Sequence, residues 1–215
     1  MKKKTLTIAI ALVLVVALAV GATWAYLTAT TGEVKNTFTV GKLFDQDGAL
    51  TLKEHKQTYD AETGKYTKGD WQATGQNYMV QPGLDIPKDP TVNLEKLSVD
   101  TSAYVFIGVA GAPVENFTWS VDSQWKKLTD ASGNEVKKTV GNVEYTIYTL
   151  ANGKVTATAG DQDFAYNVLA NNTITVGNDF AVTDASSLKI DVIAYACQAT
   201  TFADPYAAFD ACFGA

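Results

Sequence analysis

Apolar and polar residues alternate in short stretches along most of the chain, each closed by Gly, Asn, Asp or Pro, and this two-residue period predicts β-strands. The clearest fall at Lys35–Leu43, Ala49–Lys53, Asn77–Val80, Thr91–Leu97, Ala103–Val109, Phe117–Val121, Glu144–Leu150, Thr173–Val176 and Leu188–Ala196. Between them Asp47-Gly48, Pro82-Gly83, Ser132-Gly133-Asn134, Asn152-Gly153 and Gly177-Asn178 read as turns. Many strands on short connections predict an all-β sandwich. Ala103–Val109 is apolar on both faces, as a central strand covered twice should be, whereas Thr91-Val92-Asn93-Leu94-Glu95 alternates and should keep one wet face. One helix is expected, over 204–213: Asp204 can cap it, Pro205 suits its first position, and Tyr206, Phe209 and Phe213, with Phe202 before the cap, share one side. It should lie on the sandwich. Trp119 and Trp125 read as core or rim packing, and His55, beside a polar segment rich in Gly, Thr, Lys and Tyr, as a solvated loop residue.

The N-terminus breaks the pattern. Met1-Lys2-Lys3-Lys4 leads into an apolar run from Ile8 to Val20 and then Gly21-Ala22-Thr23-Trp24-Ala25-Tyr26, the arrangement of a signal peptide. At about 1.5 Å per helical residue the run spans roughly 20 Å, short of the roughly 30 Å of bilayer hydrocarbon, so it predicts a cleaved signal helix rather than a permanent anchor. Thr23 and Ala25 form the best small pair for a peptidase, which places the cut between Ala25 and Tyr26, with a cut after Tyr26 as the alternative. The expected organisation is a leader over 1–25 and a single β-sandwich domain over 26–215. No second hydrophobic stretch, LPxTG ending or lipidated Cys follows, which predicts secretion into the extracellular matrix or onto the cell surface, with membrane contact only through the uncleaved signal.

Charge narrows the partners. The 215 residues carry a formal net charge of -6, and every one of the 17 basic residues is Lys; loss of Lys2, Lys3 and Lys4 with the leader takes the charge to -9. An acidic chain without Arg argues against a nucleic-acid groove. One His and two Cys leave little for a zinc site or a His-based catalytic centre, and no G-x-S-x-G, P-loop, G-x-G-x-x-G or H-E-x-x-H occurs. Asp45 with Asp47, and Asp161 with Asp163, read as solvated turn acids, because neither segment has the spaced ligands of a calcium loop. Asn116-Phe117-Thr118 and Asn171-Asn172-Thr173 match a glycosylation triplet that means nothing in a host lacking that pathway. Cys197 and Cys212 are either two buried thiols or, in an oxidising exterior, a disulfide closing a loop of about 15 residues. No catalytic, cofactor-binding or metal-ligating residue is assigned, no cofactor is expected, and the chain does not read as an enzyme.

Gly21-Ala22-Thr23-Trp24-Ala25-Tyr26-Leu27-Thr28 followed by Val34-Lys35-Asn36-Thr37-Phe38-Thr39-Val40-Gly41 resembles the exported TasA and camelysin family, whose signal peptides are cut by a dedicated SipW-type peptidase. The resemblance continues in Pro82–Val92, in Tyr104–Val109 and in Leu188–Ala199 with the short helix after it; Tyr26 and Leu27 depart from the small and aromatic residues often found there. It implies a jelly-roll-like sandwich, a secreted biofilm-matrix protein of Gram-positive type, and fibres in which the freed N-terminal segment of one subunit completes the sheet of the next. That segment, 26–44, would act through Leu27, Val34, Phe38 and Val40. The implied partners are further copies of the chain, the SipW-type peptidase and a matrix protein that anchors or nucleates the fibre. Two other readings stand beside it: a camelysin-like metallopeptidase, to which the missing H-E-x-x-H objects, and a monomeric adhesin or carbohydrate-binding module stacking ligands on Trp71, Tyr66 or Tyr78.

Overall fold

The computed structural model describes residues 28–31, 50–94, 101–157, 163–181 and 188–214. The leader, the Ala25/Tyr26 cleavage position, the strand expected at Lys35–Leu43, the assembly residues Leu27, Val34, Phe38 and Val40, and the Asp45, Asp47 and Asp161 turns lie outside them.

The fold is an all-β sandwich of antiparallel sheets, with one short α-helix among the described residues, near the C-terminus. One sheet has the order β1 (Thr28–Thr31), β13 (Asp191–Gln198), β6 (Thr101–Ala110), β10 (Val143–Ala157) and β8 (Trp125–Lys127), with β9 (Lys137–Val140) also on β10. A second has the order β11 (Phe164–Asn167), β5 (Thr91–Leu94), β2 (Leu50–Asp60) and β3 (Lys65–Gln72). A small third sheet joins β4 (Ile86–Pro87), β12 (Thr173–Val176) and β7 (Phe117–Thr118).

The doubly apolar pattern of β6 has a direct consequence. Successive strand residues point to opposite faces. Val105, Ile107 and Val109 therefore enter one core with Leu50, Val92 and Leu94 of the second sheet, while Tyr104, Phe106 and Ala110 enter another with Ala208, Phe209 and Phe213 of helix α1 (Pro205–Phe213). The central sheet is thus covered on both sides. Asp204 caps α1 by accepting the Ala207 N–H at 2.8 Å, Pro205 occupies the first turn, and Lys138 Nζ donates to the Phe213 carbonyl at the far end. Phe106 meets Phe209 edge-on at 5.2 Å and Tyr195 meets Phe213 at 4.9 Å, so the face expected from Phe209 and Phe213 is the one that seals the second core. Burying each ring contributes about 1.5–3 kcal/mol as an upper figure.

Several expected elements differ. Asn77–Val80 is not a strand. Beyond Lys53, where pairing of β2 with β5 ends, side chains take the place of a neighbouring strand: Gln76 Oε1 accepts the Gln57 N–H at 2.8 Å, Gln76 Nε2 donates to the His55 carbonyl at 2.8 Å, and Asp89 accepts the His55 N–H at 2.9 Å. Asn152-Gly153 does not turn the chain: β10 runs straight through it, the register shifting between Thr149 and Lys154, with Gly153 at φ +87° supplying the left-handed residue. The ladder predicted for Phe117–Val121 stops at Thr118, and Val121 makes only an isolated bridge to Leu169. The strand predicted from Leu188 begins at Asp191 and continues to Gln198. Trp125 is buried and Trp119 packs against the core.

Candidate functional site

Two places on the fold have features that packing alone does not require. The first is the outer edge of β13. Its inner edge pairs with β6 along all eight residues, while its outer edge is met by β1, with Thr28 opposite Cys197, Ala29 opposite Ala196, Thr30 opposite Tyr195 and Thr31 opposite Ala194. This four-residue ladder leaves Asp191–Ile193 on the same edge without a partner strand among the described residues. Thr28–Thr31 thus lie against the sheet of their own chain. Cys197, opposite Thr28, is disulfide-bonded to Cys212 of α1 with their Cα atoms 6.9 Å apart, which ties the helix to the strand that β1 covers.

The second place is a cluster of buried charge beside the β2–β3 hairpin, where composition alone predicted only a loop. Glu54, Lys88 and Asp89 are all buried. Lys88 Nζ lies 2.9 Å from a Glu54 carboxylate oxygen and 5.2 Å from the Tyr78 ring centre, and the Tyr78 hydroxyl reaches the same Glu54 oxygen at 3.4 Å. Burial first, and the Glu54 carboxylate second, hold the Tyr78 phenol far above its ordinary pKa, so it stays a neutral donor. Asp89 accepts the His55 N–H through one oxygen; its other oxygen lies 2.7 Å from His55 Nδ1 and 3.3 Å from Lys68 Nζ.

His55 is therefore not a solvated loop residue. It sits in β2, its ring in contact with Asp89 on one side and with Trp71 on another, the indole and imidazole centres being 3.5 Å apart. The contact between Nδ1 and Asp89 fixes the orientation of the ring. No hydroxyl or thiol hydrogen-bonds to that ring among the described residues, and no group of three or more His, Cys, Asp or Glu side chains there is placed to hold a metal ion. The arrangement orients an imidazole; it supplies neither nucleophile nor ligand set.

Trp71 is half exposed, and a separate group of rings lies further along the hairpin, with Tyr59 to Tyr66 at 5.4 Å and Tyr66 to Tyr78 at 6.1 Å, Tyr66 and Tyr78 being packed in part against the core. The Tyr66 hydroxyl donates to the Met79 carbonyl at 2.6 Å and that of Tyr59 to Gln81 at 2.9 Å. A Tyr at 59, 66 and 78 and a Trp at 71 are visible in the sequence, but their convergence depends on the hairpin, whose second strand is too polar to announce itself. Among the described residues no helix is long and apolar enough to cross a membrane. No protein-family model, no curated protein and no solved structure matches the chain.

Proposed function

We propose that the protein is a secreted structural component of an extracellular or biofilm matrix, assembling into fibres through its N-terminal strand, with no catalytic role. The observation that carries this reading is the β1 ladder on β13. Among the described residues it pairs Thr28–Thr31 with the outer edge of β13, and it is made by the segment that signal cleavage would free. A ladder formed within one chain can be formed equally between two, because the same N–H and C=O groups are satisfied either way. Exchange between copies would leave each sheet complete while linking subunits, and Asp191–Ile193 extend the edge for a longer donor.

The acidic balance favours this over a role on nucleic acid, and among the described residues His55 has the Asp89 carboxylate beside it and no group of three His, Cys, Asp or Glu side chains is placed to hold a metal ion. The partners of this reading are other copies of the chain, a SipW-type peptidase that frees the segment, and a matrix protein that anchors the fibre. The test compares protein beginning at Tyr26 with the same protein lacking Leu27–Val40, by sedimentation and negative-stain microscopy. Filaments from the first and single particles from the second are expected. Filaments from both, or single particles from both at high concentration, overturn the proposal.

A further inference from the structure

We infer that the β2–β3 hairpin is a binding site for an uncharged polysaccharide, with Trp71 as its stacking floor. The inference does not depend on fibre assembly. Among the described residues only four large apolar side chains are strongly exposed, and two of them, Trp71 at 50% and Met79 at 51%, belong to this hairpin and the segment packed on it. An isolated exposed apolar residue is unremarkable on a protein surface, but this indole is held from behind. It stacks on His55, His55 is fixed through Nδ1 by Asp89, and Asp89 is buried and braced by Lys68. Lys68 Nζ also lies 5.9 Å from the indole centre. A half-exposed indole held by the part-buried His55–Asp89 contact is a preorganised platform, which lowers the ordering cost of binding.

The shape selects a long ligand. The His55/Trp71 pair and the Tyr59/Tyr66 pair lie four residues apart on β2, about 13 Å at the usual rise per strand residue. Tyr66 and Tyr78 pack in part against the core, so the strip offered to a ligand runs from Trp71 to the Tyr59 end of the hairpin rather than into a pocket. Sugar rings present C–H faces that stack on aromatic rings and a rim of hydroxyls that bonds to polar neighbours, and a polymer of them is extended enough to use both ends.

Charge selects the ligand further. Within residues 50–72, Lys53, Lys56, Lys65 and Lys68 balance Glu54, Asp60, Glu62 and Asp70, so the hairpin has no net charge to favour an anionic or a cationic polymer. A further strand is also a poor fit: Gly69 and Asp70 bulge opposite Lys56, and Lys65 and Lys68 stud the outer strand, both devices that discourage edge-to-edge pairing.

The test is affinity electrophoresis of the folded protein through gels containing hydroxyethylcellulose, laminarin, galactomannan or dextran, with polygalacturonate as the charged control. At least one neutral polymer should retard the protein more than the control does. Trp71→Ala should weaken that binding by about tenfold or more, as loss of a central aromatic anchor does, and Trp71→Phe should keep part of it. Thermal melting of both variants establishes that they fold. Retardation by none of the neutral polymers, retardation of folded Trp71→Ala equal to that of the parent, or retention by the acidic control alone overturns the inference. So does loss of self-association in Trp71→Ala without any effect on polysaccharide, which would make the strip a contact between copies.

Discussion

Gly108 stands directly opposite Ile193 on the adjoining strand, and a Cβ placed on it would come within 2.7 Å of Ile193 Cγ1 and 3.1 Å of Tyr145 Cβ. The glycine lies between Phe106 and Ala110 on the strand face that meets α1, and there its missing side chain makes room for Ile193. Gly108→Ala should therefore destabilise by overpacking, by about 1–3 kcal/mol despite the gain in strand propensity. Urea unfolding reads this as a lower midpoint at unchanged slope. An unshifted midpoint would mean that Ile193 moves aside freely.

The bond between Cys197 and Cys212 spans a sequence separation of 15 residues and fastens α1 over Phe106 and Tyr195. Its removal in a Cys197→Ser/Cys212→Ser variant should cost about 3 kcal/mol on the chain-entropy account. The parent should then melt lower in reductant, and the double variant should melt at one temperature with or without it. Alkylation of unreduced, denatured parent provides a separate check: no label is expected, and two labels per chain would show free thiols.

Strand β6, the Asp204 cap and the helix behind it were legible because each rests on local rules: an apolar run covered twice, a capping carboxylate, a Pro at the first turn. The hairpin was not. Lys65–Gln72 has neither a clean alternation nor an apolar face, and it becomes a strand because β2 offers it a ladder and because Gly69 and Asp70 can bulge. His55 looked exposed for the same reason. Its partner Asp89 is 34 residues away, and proximity at that range is a property of the fold rather than of any window of sequence. The turn expected at Asn152-Gly153 failed differently: a left-handed Gly serves a bulge as readily as a hairpin, and only the pairing partner decides.

Lys88 and Glu54 form a buried pair whose members are not equally replaceable. Lys88→Met alone strips a buried carboxylate of the one cation paired with it among the described residues and should cost about 3–5 kcal/mol. Pairing it with Glu54→Leu should recover most of that loss, because two apolar side chains need no partner. A double-mutant cycle on unfolding free energies measures the coupling. Additive losses would show that Tyr78 and Gln76 alone suffice to satisfy Glu54.

Tyr195 provides a test at high pH. Burial, and then the neighbouring Tyr145, push its phenol from 10.0 up to about 12, and its ring is packed against Phe209 and Phe213. A phenol is neutral when protonated, so a raised folded-state value means that the unfolded chain gives up this proton first. The stabilisation is therefore whole below about pH 10 and drains away as the pH rises toward about 12. The urea midpoint should fall across that window, and the fall should be shallower in Tyr195→Phe, which has no proton to lose there. It should not vanish, since burial also raises Tyr66, Tyr78, Tyr104, Tyr148 and Tyr166. Tyrosinate absorbance followed alongside should show late-titrating groups ionising with unfolding. Identical pH profiles for parent and Tyr195→Phe would remove Tyr195 from the account and leave alkaline stability to the other five.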